Sequence, residues 1–270
     1  MNKRICHEVG KIKIEYNFDE KSPDNLNTRH CHNQYEILYV LDGKGKYIVE
    51  GTEYPIRPRT LMLFPPLTYH CVLLDKNASY ERYVVHFSKE ELTKETASFL
   101  SALFDKSMSG VAEFYAADAI SATISALFER YENIEKLPPR QMAEYARLIT
   151  SELVLLLSVA NIERIPTDSV ELGSRVIKYL NEHMDKDITL DALAKKFFVS
   201  KYYLCRAFKK HNGISVHGYI NHKRVMYAKQ LIESGETASS AAYKVGFGDY
   251  SAFYRAYVKI LGKSPTCQDS

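Results

Sequence analysis

The sequence predicts an α+β protein of more than one domain. An N-terminal β-barrel of the jelly-roll kind is followed by helices, and a C-terminal all-α domain carries two helix-turn-helix units joined by a long helix. Three observations predict this. Strand-type alternation is confined to residues 10–90, helical periodicity takes over from about residue 89, and the last hundred residues contain an internal repeat. A length of 270 residues is enough for one or two domains, each with its own core.

The strands come first. "KIKIEY" and "KYIVEG" alternate apolar and polar residues. Turn signals stand close together at Asp42-Gly43, Glu50-Gly51, Pro55, Pro58 and Pro65-Pro66, as in a small barrel or sandwich. Helices follow. "SKEELTKETASFLSALF" predicts a helix capped by Ser88, a second is expected over about 116–135, and a third over about 140–162 after Pro138-Pro139. In the third, Met142, Tyr145, Ile149, Leu153, Leu156 and Ala160 form an apolar stripe that Leu155 and Leu157 broaden. This is more apolar surface than one packing face needs; it suits either ordinary core or a dimer-forming helix pair, and a homodimer is the expectation.

The repeat sets "LCRAFKKHNG", starting at Leu204, against "FYRAYVKILG", starting at Phe253. In helical geometry Leu204/Phe208 and Phe253/Tyr257 make inward i, i+4 pairs, so positions 202, 205, 206 and 209 face outward. Each copy follows a short helix containing a small residue, Ala194 or Ala242, and a turn, "FFVS" or "GFGD". Ser200 and Asp249 are placed to cap the second helices. Val216–Ser234 reads as one amphipathic connector that would hold two reading helices about 34 Å apart, one turn of B-DNA. Charge divides the same way. From Gly173 to Ser270 there are 16 Lys+Arg against 8 Asp+Glu, while the rest of the chain carries 20 against 25. A basic module of this kind suits a polyanion.

On these residues, "TLDALAKKFFVSKYYLCRAFKKHNGISVHGYI" and "AAYKVGFGDYSAFYRAYVKILGKSP", the segment 174–265 resembles the DNA-binding domain of the AraC/XylS family of bacterial transcriptional regulators. The resemblance implies double-stranded DNA as partner. It implies base reading by Tyr202, Cys205 and Arg206 in the first unit and by Tyr250, Ser251, Tyr254 and Arg255 in the second. Arginine can bond guanine bidentately. Lys201, Lys209, Lys210 and Lys259 are expected on phosphates. One departure stands out: the first turn has Phe198 where the family usually has glycine, whereas the second keeps Gly246.

The stretch His30-x-His32-x3-Glu36-x6-Gly43, with "YPIRPRTLMLFPPLTYH" ending in His70, resembles the two motifs of the cupin barrel. In metal-dependent cupins such a set of histidines and a glutamate suits Fe, Mn, Ni or Zn. The expected glycines are replaced, by Asp24 before the first histidine and by Arg59 in the second motif. The same strand followed by "YVL-GKG" also opens AraC-type sensor domains, most of which hold no catalytic metal. The expectation is therefore no cofactor, no metal ligand and no enzyme; the alternative is a metal-dependent cupin enzyme with an accessory DNA-binding domain. His30, His32, Gln34, Glu36, Tyr47, His70 and His86 are the candidate lining of an effector pocket, with a sugar or related polar metabolite as the small-molecule partner. Cys31 and Cys71 lie one position off the ligand parity and are poor co-ligands.

The domain expectation is then a cupin-like effector-binding barrel over 1–90, a helical dimerisation region over 91–165, and the DNA-binding domain over 166–270. Contact with RNA polymerase is a further possible partner role. No apolar run approaches a membrane span and no signal peptide is read. The five scattered cysteines form no CxxC pair, which fits a reducing cytoplasm.

Overall fold

A computed structural model describes residues 2–21, 29–105, 112–115, 118–159, 172–183 and 188–266. They fall into two compact units. One comprises Met1–His30, Gln34–Val49 and Glu53–Pro166; the other comprises Thr167–Ser270 with Cys31–Asn33 and Glu50–Thr52.

The first unit contains strands β1 (Lys3–Val9), β2 (Ile12–Asp19), β3 (Tyr35–Gly43), β4 (Gly45–Val49), β5 (Thr52–Pro55), β6 (Thr60–Phe64), β7 (His70–Leu74), β8 (Tyr80–Phe87) and β9 (Ala112–Tyr115). They form two sheets, β1-β2-β8-β3-β6-β9 and β5-β4-β7, and the described strands do not close into a complete barrel. Helices α1 (Lys94–Asp105), α2 (Asp118–Glu132) and α3 (Pro139–Val159) complete the unit.

Strand parity explains the layering. On β3, Ile37 and Tyr39 turn to one face and join a core with Leu100, Phe128, Ile149 and Leu153 from the helices. Leu38 and Val40 turn to the other face and pack with Tyr47, Val49, Met62, Phe64, Val72 and Tyr80, so this second core lies between the two sheets. Both faces of β3 are buried, which is why it reads as a nearly continuous apolar run. Gly43, the last residue of the first cupin-like motif, ends β3 against the Tyr80 ring. A Cβ there would stand 2.8 Å from Tyr80 Cδ2.

Several expectations need adjustment. Ser88 precedes only a short 3-10 turn, Lys89–Glu91, and its side chain makes no cap bond. Helix α1 starts later, where Thr93 Oγ1 accepts from Thr96 N at 3.2 Å. A ninth strand, absent from the sequence pattern, pairs with β6. The buried stripe of α3 is Ala146, Ile149, Thr150, Leu153, Val154 and Leu157, rotated from the expected one, so Met142, Tyr145 and Leu156 are only partly buried. Ala160 and the expected helix end at 162, Asp24, and the boundary at 165/166 lie outside the described residues.

The second unit is helical: α4 (Leu172–Glu182), α5 (Leu190–Lys196), α6 (Lys201–Asn212), α7 (Val216–Glu233), α8 (Ala238–Lys244) and α9 (Tyr250–Leu261). The connector α7 ends within one residue of expectation. It buries Val216, Tyr219, Ile220 and Ala228, and Leu231 and Ile232 pack beside Phe253 and Tyr257.

Candidate nucleic-acid interface and ligand pocket

The two copies of the repeat fold alike. Each begins with a capped short helix: Thr189 Oγ1 accepts from Ala192 N, and Thr237 Oγ1 from Ser240 N, both at 3.1 Å. Each second helix is capped as the sequence indicates, with Ser200 accepting from Tyr203 N at 3.1 Å and Asp249 from Ala252 N at 2.7 Å. Each ends on a left-handed glycine, Gly213 or Gly262. Leu204, Phe208, Phe253 and Tyr257 are buried. Ala194 and Ala242 are buried as well, consistent with close helix approach.

The opposite faces of α6 and α9 carry the expected contact residues. Lys201, Tyr202, Arg206, Lys209 and Lys210 are exposed on α6, as are Ser251, Tyr254, Arg255 and Lys259 on α9; Cys205 is half-buried. Tyr250 is also half-buried, its ring 5.7 Å from Phe253 and 6.4 Å from Tyr254. Its packing role is thus stronger than helical geometry suggested. Lys201 forms an exposed ion pair with Asp191 at 2.7 Å, an interaction that water and salt weaken.

Two further aromatic residues, Tyr203 and Phe198, are exposed in the first unit of the repeat, and only Phe198 was singled out from sequence. Tyr203 sits beside Tyr202 on α6, just before inward-facing Leu204, so its outward position follows from helical spacing. Phe198 is 94% exposed. Its backbone is left-handed at φ +56°, as is Gly246 at φ +90° in the second turn. The two turns close with the same bonds, Val199 N to Ala194 O and Phe247 N to Ala242 O, each at 3.0 Å. The second turn has one extra tether: Arg224 of α7 donates to Gly246 O at 2.7 Å.

In the first unit, the polar candidates gather around Glu36 in the layer between the sheets. Glu36 pairs with His86 across β3 and β8, and its Oε2 lies 3.4 Å from His86 Nε2 and 3.3 Å from His70 Nε2. His70 Nδ1 donates to Thr68 O at 2.9 Å, since a carbonyl can only accept. The rings of His30 and His70 stand 4.5 Å apart, and their backbones exchange two hydrogen bonds of 2.9 and 3.0 Å. His32 belongs with Cys31 and Asn33 to the second unit, whereas Glu36 and His86 belong to the first. The expected single strand through positions 30–36 is not formed: β3 begins only at Tyr35, and His30 makes an isolated bridge. Gln34, before the strand, donates its amide to Lys11 O at 3.2 Å.

Tyr47 occupies the same inter-sheet core, where its hydroxyl is buried without a hydrogen-bond partner among the described residues. The hydroxyl of Thr60, on β6 with the parity of Met62 and Phe64, is buried and unpartnered in the same way. Thr60 was not singled out from sequence, although alternation along β6 carries the signal. Tyr80 is fully enclosed, and burial raises its phenol above the usual range, so it stays neutral. Arg82 lies 4.2 Å over the Tyr80 ring and closes an ion pair with buried Asp19 at 2.6 Å. The layer therefore offers aromatic surface, unsatisfied hydroxyls and an imidazole–carboxylate cluster. Cys31 and Cys71 are free thiols, both buried. Burial pushes the Cys31 thiol up to about 12, a poor state for a metal ligand.

Comparison with known proteins agrees with both halves of this description. A family described as "AraC-like ligand binding domain" matches residues 16–157, and one described as "Helix-turn-helix domain" matches residues 193–267. An uncharacterized HTH-type transcriptional regulator YbfI of Bacillus subtilis (strain 168) is 28% identical over 226 residues, 82% of this chain and 79% of its own. The HTH-type transcriptional activator RhaS of Escherichia coli O139:H28 is 23% identical, covering 87% of this chain and 85% of its own. Among solved structures, ToxT from Vibrio cholerae O395 aligns over 95% of this chain and 96% of its own, at 15% identity and a TM-score of 0.39.

Proposed function

The chain belongs to the AraC-type transcriptional regulators, with a ligand-binding domain and a helix-turn-helix DNA-binding domain; from that premise we propose how its own residues divide the work. Arg206 and Arg255 read guanine edges in the major groove. Tyr202, Cys205, Tyr250, Ser251 and Tyr254 flank them, and Lys201, Lys209, Lys210 and Lys259 hold phosphates. The single observation that carries this reading is the equivalence of α6 and α9. Both are capped, both bury the i, i+4 apolar pair, and both expose an arginine at the same repeat position.

The effector sits between the two sheets of the first unit, against Tyr47, Thr60, Glu36, His70 and His86. A polar metabolite such as a sugar suits this lining, because its hydroxyls would satisfy the buried Tyr47 and Thr60 groups. A buried donor or acceptor left unsatisfied costs about 1–3 kcal/mol. Dimerisation uses α3, where Leu148, Leu155 and Val159 stay exposed on the face turned from the core. Effector binding shifts the dimer toward the arrangement of DNA-binding domains that matches spaced half-sites. The protein acts without enzymatic turnover, in the cytoplasm, and contacts RNA polymerase at its promoters. No helix among the described residues is long and apolar enough to cross a membrane.

Fluorescence anisotropy of the full chain on DNA selected from a random library tests the reading. Binding should weaken steeply with salt, as release of counterions from several phosphates requires. Equal affinity for selected and random DNA would refute sequence-specific recognition.

A further inference from the structure

Phe198 is the most exposed large apolar side chain among the described residues. It also stands where the backbone suits such a residue least, at φ +56°. The turn closes as a Schellman motif: Phe198 N donates to Lys195 O at 3.3 Å and Val199 N to Ala194 O at 3.0 Å. The left-handed position of that motif is usually glycine. The second copy follows the rule, with Gly246 N bonded to Tyr243 O and Phe247 N to Ala242 O, both at 3.0 Å. Glycine at 198 would close the first turn equally well and would expose no ring. A strained residue that the fold does not require points to a role outside the fold.

The charges around the ring select its partner. From 195 to 202 the first copy carries Lys195, Lys196 and Lys201, all exposed, and no carboxylate. Asp191, just upstream, offsets Lys201 alone. The equivalent stretch of the second copy, 243 to 250, carries one lysine and one aspartate. There Lys244 pairs with Glu236, and Asp249 caps α9. Lysine is depleted in protein–protein interfaces and gathers where a polyanion binds. Position agrees with charge. Phe198 precedes the Ser200 cap by two residues, so its Cα lies within about 7 Å of the start of α6. A recognition helix meets base edges with its N-terminal residues, which brings this turn to the rim of the major groove. The apolar group that DNA presents there is the thymine C5-methyl.

We propose that Phe198 is a specificity-determining residue, whose ring packs on a thymine methyl at the rim of the major groove beside the bases that α6 reads. The first copy thereby gains a preference for thymine that the second, with glycine at the same position, lacks. The two half-sites are read unequally even though α6 and α9 are alike. The inference rests on α6 being a reading helix, and it adds a residue from outside that helix.

The test uses the full-length protein and a library-selected duplex in which each thymine in turn is replaced by deoxyuridine, which removes only the methyl. By anisotropy, the wild type should lose about 4-fold in affinity at one such position. Phe198→Gly should bind the unmodified duplex about 10–100-fold more weakly and respond to no replacement at that position. Phe198→Leu, still apolar, should keep part of the preference. Glycine suits the left-handed turn, so folding is not at risk, and thermal unfolding of the same samples checks it. A wild type indifferent to every replacement overturns the proposal. So does a Phe198→Gly variant that keeps the wild-type response at every thymine, whether its affinity is unchanged, which leaves the ring to a protein partner, or uniformly lower, which makes it a sequence-independent contact. Arg206→Ala on guanine-replaced duplexes keeps the two readings apart. If it loses one guanine preference while Phe198→Gly loses no thymine preference, Phe198 has no reading role and α6 remains a reading helix. If Arg206→Ala changes no preference at all, the failure lies with the reading of α6 itself.

Discussion

The two helix-turn-helix copies differ most at one residue. Phe198 and Gly246 hold equivalent positions and the same left-handed backbone, yet only one is glycine. For an L-residue with a Cβ this region costs roughly 1–2 kcal/mol, and Phe198 recovers little by packing, because its ring lies almost wholly in solvent. The turn is thus imposed by its surroundings, through the backbone bonds that close it. The second turn has the unstrained residue and also the Arg224 tether. Arg59 gives the same lesson in the first unit. It stands where the cupin-like motif expects glycine, and its φ is +64°. A motif residue can be lost while the conformation that selected it persists.

Substitutions can break or sharpen this comparison. The largest effects belong to the shared cores. Leu204→Ala should cost about 2–5 kcal/mol and Phe253→Ala about 3–5 kcal/mol in thermal or chemical unfolding. Similar losses would show that the copies are equally dependent on their inward pairs, and a loss below 1 kcal/mol in either would show that its core is not formed as described. Next come the exposed arginines: Arg206→Ala and Arg255→Ala should each reduce affinity for selected DNA about 10–100-fold by anisotropy while leaving unfolding unchanged.

The turn residues come third. Phe198→Gly should raise stability by about 0.5–1 kcal/mol, relief of strain being offset by the entropy of glycine. Gly246→Ala should lower it by about 1–2 kcal/mol, since the new Cβ also meets Arg224 at 2.9 Å. If Phe198→Gly destabilised the protein, the exposed ring would have a packing role that the structure does not give it. The smallest effects are expected at the caps. Ser200→Ala and Asp249→Ala should cost about 1 kcal/mol each in the same melts.

Much of this was legible in the sequence. The repeat fixes Leu204, Phe208, Phe253 and Tyr257 as inward, and Ser200 and Asp249 as caps, because helix period and capping are local rules. Strand parity is read over His30, His32, Gln34 and Glu36, and of these only Glu36 lies on the strand that forms, its partner on β8 being His86. The rest depends on tertiary context. Gln34 precedes the strand that would have oriented it, and its amide bonds Lys11 O in the β1–β2 turn. The buried stripe of α3 is rotated because a helix with apolar residues on several sides does not say which one meets the sheet. Strand β9 is short and pairs with β6, distant in sequence, a partnership that four residues cannot announce.

The most direct test of the account is anisotropy with library-selected DNA in which single guanines are replaced one at a time. For Arg206→Ala and for Arg255→Ala, the account predicts indifference to replacement of one particular guanine, a different one for each variant, with discrimination kept elsewhere. If both variants weakened binding to every DNA equally and kept wild-type discrimination at all guanines, these arginines would be phosphate contacts and the base-reading role of the two helices would be wrong.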